Sequence, residues 1–210
     1  MSVRVVGDPI ALALAGLPEP AGEPELVVAL DDAPGPANVR WWRGRPERGA
    51  TGERTIATDG EGLWSRAPWP VRDELFDLAA PAAPGRVLLV GAEDDDVAFA
   101  CDHGLDVEAV GRLTAEALAA ADVVVHGIGL GAPLPGDALA VLAAGRLLVT
   151  NAAPGFGLRA GVDHLAAEGI APAYEVIQEA LAAPEAFAAL RRMGRLTARE
   201  HRASEVYARL

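Results

Sequence analysis

The chain of 210 residues contains no lysine; all 18 of its basic residues are arginine. That removes Schiff-base chemistry and the phosphate-loop lysine from consideration. A single cysteine, Cys101, permits no internal disulfide and points to a reducing, cytoplasmic location. Aromatic residues make up only 5% of the chain while 51% is hydrophobic, so the core must be built from Ala, Val and Leu. No apolar run approaches the ~20 residues that span a bilayer. The first 17 residues lack a basic start followed by a long apolar run, so no secretory signal is expected. Positive charge is also scarce. A net charge of −12 argues against nucleic acid or an anionic membrane as the main partner. No G-x-S-x-G elbow is present, which argues against a serine hydrolase of that type.

What is present is a regular alternation in the second half. Residues 86–90 (RVLLV), 105–110, 122–126 (DVVVH) and 146–150 (RLLVT) are short apolar runs rich in Val and Leu. They have the look of parallel strands buried on both faces. Residues 97–103, 115–121 and 137–144 between them read as helices, the last closed by Gly145. Strands alternating with helices predict a doubly wound, Rossmann-like parallel α/β sheet. The first half reads less regularly, with strand candidates at 3–6, 26–30, 39–42 and 54–57, a short helix at 10–17 and another at 71–78. Residues 63–70 are irregular, and Trp64 and Trp69 are expected to plug a core or interdomain gap. Residues 79–85 (AAPAAPG) make the best linker, which divides the chain into 1–82 and 83–210. At the end, 163–168 reads as a helical turn, and 174–182 and 184–207 as long terminal helices.

In open parallel sheets ligands collect at the carboxyl ends of the strands. Two glycine-rich loops stand there. Gly127, Gly129 and Gly131 follow the 122–126 strand, and either cradle a diphosphate with backbone N–H groups or form a tight turn. His126 is either a base or ligand contact, or a structural imidazole bonded to the backbone. Gly155 and Gly157 let the backbone approach a ligand, and Arg159 either meets a phosphate or pairs with Asp163. The acidic run Glu93-Asp94-Asp95-Asp96 is either a divalent-cation site or a solvated helix start. Cys101 and His103 lack the further spaced ligands of a zinc site, so no metal is expected. His164 and His201 fall in helical contexts and are expected at the surface or an interface. The nicotinamide fingerprint G-x-G-x-x-G is absent.

From residue 86 onward the chain resembles the C-terminal, nucleotide-sugar-binding half of GT-B glycosyltransferases, most closely the spore-maturation-type group. The likeness rests on 121–126 (ADVVVH), 138–150 (ALAVLAAGRLLVT), Gly157-Leu158, Gly161-Val162-Asp163, 181–185 (LAAPE), Gly194-Arg195 and Arg199-Glu200-His201, with 86–91 (RVLLVG) as the opening strand. The resemblance implies sugar transfer from a nucleotide-sugar donor to an unknown acceptor, without a cofactor, by a GT-B-like protein with a reduced N-terminal half. It places Gly91 near the donor cleft, Val110 and Gly111 near the base, Gly127 to Gly131 near the diphosphate, and the loop of Gly155, Gly157 and Arg159 at the sugar. The chain departs from that pattern where Ala132 and Ala140 stand at the positions of two glutamates. The donor-phosphate Arg and Lys pair is not evident, and the first half contains no histidine. These departures imply the alternative, a non-catalytic homologue acting as a scaffold or subunit in a homodimer or hetero-complex.

Overall fold

The computed structural model describes residues 2–7, 9–24, 26–30, 39–42, 54–57, 65–66, 69–81, 84–127, 135–150 and 157–209. Two five-stranded sheets lie on either side of the 79–85 segment. The first holds β1 (Val3–Val6), β2 (Leu26–Leu30), β3 (Val39–Trp42), β4 (Arg54–Ala57) and β5 (Ser65–Arg66), parallel and in sequence order. The second holds β6 (Val87–Val90), β7 (Val107–Val110), β8 (Val123–His126), β9 (Leu147–Thr150) and β10 (Leu165–Ala166), also parallel. Its spatial order is β10-β9-β8-β6-β7. The chain therefore builds outward from β6 to β7, then crosses back to β8 on the other side of β6. That reversal is a topological switch point between β6 and β8.

The valine and leucine runs form strands because both sheet faces are covered. Along β6, β8 and β9, alternate side chains enter two separate apolar layers. Leu88, Val90, Val124 and Leu148 face α3 (Ala115–Ala120) and α4 (Pro135–Ala143). Val87, Leu89, Val123, Val125, Leu147 and Val149 face α2 (Asp94–Asp102) and α5 (Ile170–Ala182). This is the period-two alternation of a strand, applied to a sheet with helices on both sides. The fold is thus the doubly wound α/β type that the alternation predicts.

The α4 layer continues into the first half. Val5, Val28, Leu30 and Leu14 of α1 (Pro9–Ala15) join the same apolar cluster as Leu139 and Leu142 of α4. Beyond α6 (Pro184–Ala198), the chain returns to the first half as α7 (Ala203–Tyr207). There the Tyr207 hydroxyl donates to the Ala15 carbonyl at 2.8 Å. Val71 exchanges backbone hydrogen bonds with His201 and Ala203, each at 2.7 Å.

Four elements differ from the sequence reading. Residues 71–78 give only a 3-10 turn at Asp73–Asp77, because Val71 is committed to the C-terminal segment. The expected helical turn at 163–168 contains β10, which pairs with Val149 and Thr150 of β9. The helix expected over 184–207 breaks at Arg199–His201, where a 3-10 turn swings α7 toward Val71. Residues 65–66, read as irregular, form β5. Among the described residues no helix is long and apolar enough to cross a membrane.

Candidate functional site

The register places the carboxyl ends of β8, β6 and β7 side by side. His126, Val90 and Val110 are aligned across the three strands. Gly127, Gly91 and Gly111 follow them directly, so five of the predicted site residues, Val110 among them, share one edge of the sheet. Gly91 and Gly127 both adopt left-handed backbone, at φ of 67° and 73°. A side chain costs roughly 1 to 2 kcal/mol in that region, which only glycine escapes. The Gly91 N–H donates to the Val110 carbonyl at 2.9 Å and closes the β6–β7 edge. A Cβ built on Gly91 or Gly111 would meet no atom within 4 Å, so open space faces both. The switch point is therefore lined by bare backbone.

His126 supplies the chemistry of this edge. Its Nε2 lies 3.1 Å from Asp137 Oδ2, and the two side chains are 11% and 8% exposed. Its partner is thus a carboxylate in the first turn of α4, and not the backbone. Since a carboxylate accepts, Nε2 carries the proton of the neutral ring and Nδ1 keeps a lone pair. Nδ1 is buried and has no hydrogen-bond partner among the described residues. The ring is oriented by an acid on one nitrogen and holds a buried, unpartnered acceptor on the other. The sequence pattern missed Asp137. Its signal was an acidic residue in the first turn of the helix that follows a strand ending in histidine.

The first half holds this turn in place. Gly136 packs so closely on Trp69 that an added Cβ would lie 2.6 Å from Cδ1 of the indole. Trp69 is 2% exposed, as expected of a gap-filling tryptophan. Its carbonyl accepts a hydrogen bond from His201 Nδ1 at 3.0 Å. His201 and His164, expected at the surface or an interface, are buried within the chain. Burial pushes both imidazoles below the ordinary value of 6.5; the Trp69 bond and Glu200 oppose this at His201, and Asp163 opposes it at His164. At His201 the helical period could not reveal this, because the segment after α6 folds back onto Val71; His164 lies in no helix and forms a bridge with Ala160.

The other predicted residues divide. Gly157 has a φ of 71°, and Arg159 is exposed. Arg159 does not pair with Asp163 through its guanidinium. Instead its backbone N–H donates to Asp163 Oδ2 at 2.9 Å, while Thr197 Oγ1 donates to Oδ1 at 2.8 Å. The carboxylate thus fastens the turn to α6 and leaves the guanidinium without an ion pair to a described residue. Gly129, Gly131, Gly155 and Ala132 lie outside the described residues. Ala140 is fully buried in the α4 core layer.

Electrostatically the edge is asymmetric. Glu93, Asp94 and Asp95 are exposed at the start of α2, beside Gly91. Asp96 accepts from the Glu93 N–H at 3.4 Å, so the helix start is satisfied by its own carboxylates. An anion is repelled on that side and is better placed toward β8 and α4. Among the described residues no group of His, Cys, Asp and Glu is arranged to hold a metal ion.

These features define a doubly wound α/β protein with glycines at the strand ends of its switch point. No protein-family profile matches the chain. No curated protein matches it either. Among solved structures, the crystal structure of TarM is similar, with a TM-score of 0.48 and 10% identity, over 87% of this chain and 53% of that one. The chain thus spans about half of TarM's length, and a likeness this slight carries no argument about function.

Proposed function

We propose that the crevice between β6 and β8 binds the diphosphate and nucleoside of a nucleotide-sugar, and that the chain acts as a glycosyltransferase of GT-B-like design. The single observation that carries this reading is the pairing of Gly91 and Gly127. Both are left-handed, side by side at the switch point, and next to a histidine whose buried Nδ1 has no partner among the described residues. Bare backbone there admits the close approach that a diphosphate needs. Val110 and Gly111, at the end of edge strand β7, suit the base. Arg159, with no carboxylate partner among the described residues, suits the sugar–phosphate end. In the transfer, the bond from the anomeric carbon to the diphosphate oxygen breaks and one to the acceptor oxygen forms. Backbone N–H groups and Arg159 would stabilise the departing diphosphate, and His126 Nδ1 would accept a hydrogen bond or proton at the reacting end.

On this reading residues 83–210 form the donor half, residues 1–82 a reduced acceptor half, and the protein works in the cytoplasm. Calorimetric titration with UDP, GDP, dTDP and ADP tests it. Saturable binding of one of them selects the donor class. Silence for all four from folded protein removes the reading.

Two observations favour a second reading, a non-catalytic homologue acting as a scaffold or subunit. The buried Ala140 offers a ligand nothing, and the exposed acids at the start of α2 flank the crevice. That reading expects a stable homodimer or hetero-complex, and a strictly monomeric protein with no recovered partner counts against it.

A further inference from the structure

Arg192 and Arg195 of α6 and Arg199, its C-cap, stand at spacings of three and four residues on one side of the helix. Among the described residues these three and Leu196 line a depression of about 360 Å³. The depression is unusual in a chain of net charge −12. Six other arginines find carboxylates. Arg4, Arg72, Arg86, Arg191, Arg202 and Arg209 each lie within 4.0 Å of one. Arg192, Arg195 and Arg199 have no such partner among the described residues.

The positive field extends inward. Gly145, at the end of α4, lies against Arg195, whose Cδ would be 3.9 Å from an added Cβ. The neighbouring Arg146 is buried and donates to the carbonyls of Leu118, Ala79 and Ala119. Its pKa is lowered first by burial and then by Arg191 and Arg195, against the raising effect of Asp122. The negative C-terminal end of the α6 dipole favours a nearby cation. That accounts for single arginines near a helix end, but not for three unpaired guanidinia around one concavity.

We propose that this depression is a binding site for clustered phosphate groups, separate from the crevice at β6 and β8. Guanidinium forks match phosphate oxygens two at a time, and three converging on one ligand suit a polyphosphate over a single phosphate. Leu196, 50% exposed, gives the site an apolar wall that an organic ligand would cover. The phosphates could come from a soluble polyphosphate or from anionic lipid headgroups. The site and His126 are separated by the length of α4, about 13 Å for its nine residues. The two can therefore be perturbed independently.

Titrating the full chain with sodium tripolyphosphate at constant ionic strength, with chloride as the control salt, tests the proposal. Saturable binding is expected. It should weaken about tenfold or more in Arg192→Gln/Arg199→Gln, which keeps the half-buried Arg195 in place. His126→Ala should leave it unchanged. A parallel arm uses phosphatidylcholine vesicles with and without phosphatidylglycerol. Binding to the anionic vesicles that is lost in the same variant assigns the phosphates to headgroups. Binding of tripolyphosphate alone assigns them to a soluble ligand. If neither probe binds, or if the variant binds both as the wild type does while its circular dichroism and melting temperature are unchanged, the proposal is overturned.

Discussion

Gly194→Ala sets two physical effects of opposite sign against each other. In an exposed helix interior, alanine stabilises over glycine by about 1 kcal/mol. Gly194, however, is a buried position on α6 facing α4. A Cβ there would lie 2.7 Å from Leu142 Cδ2 and 2.9 Å from the Asp163 carbonyl oxygen. Ordinary carbon contacts are about 3.5 to 4.0 Å, so the overlap is roughly 1 Å. Leu142 is 1% exposed and has no free space to retreat into. The Asp163 carbonyl belongs to a turn held by the Asp163 N–H to Arg159 carbonyl bond at 2.9 Å. Overpacking of this kind costs about 1 to 3 kcal/mol, and the upper end applies where both a core side chain and backbone must move. Net of propensity, the variant should lose about 1 to 2 kcal/mol, read as a lower urea midpoint with an unchanged slope. In a Leu142→Ala background the same substitution should cost less, since only the Asp163 carbonyl contact remains. A Gly194→Ala midpoint equal to or above the wild type would refute the close crossing of α4 and α6.

Other consequences are as direct. Tyr207→Phe removes the donor to the buried Ala15 carbonyl and should cost about 1 kcal/mol in urea unfolding. Asp163→Ala strips the Arg159 N–H and the Thr197 hydroxyl of a charged acceptor; about 3 kcal/mol is expected, together with faster amide exchange at Arg159. His164 and His201 both have pKa values lowered on folding from 6.5. The unfolded chain therefore binds more protons, and stability is full above pH 6.5 and falls as pH drops from there toward the folded values. Melting temperatures measured from pH 7.5 to 5 should show that loss, and a His164→Gln/His201→Gln variant should show a shallower one.

The second sheet was legible because its strands state themselves. The apolar runs in β6, β8 and β9 satisfy a sheet covered on both sides, and no other element competes for them. The helix starts were legible only in part. Asp94 to Asp96 read as residues preceding a helix, whereas α2 begins at Asp94 with Glu93 as its cap. What the sequence could not announce was long-range commitment. β10 exists because β9 lies beside it, and the Asp73–Asp77 turn stays short because Val71 bonds residues 201 and 203. The same holds for the site. Glycine and histidine at strand ends were visible as types, but the His126–Asp137 pair and the Trp69–Gly136 contact depend on where α4 begins in space. Likewise His201 looked peripheral because a helical wheel carries no information about a returning C-terminal segment, and His164 because the helical turn expected at 163–168 gives way to β10.

The central claim is that a nucleotide binds at the carboxyl ends of β6 and β8, against His126. The chain has four histidines, so its imidazole resonances are few enough to follow singly. Titrating UDP, GDP, dTDP and ADP while observing them locates the ligand directly, with His126 assigned through His126→Gln. The account predicts that one nucleotide shifts the His126 signal saturably and leaves those of His103, His164 and His201 in place. Binding that moves another histidine and not His126, or no movement with any nucleotide, would contradict it.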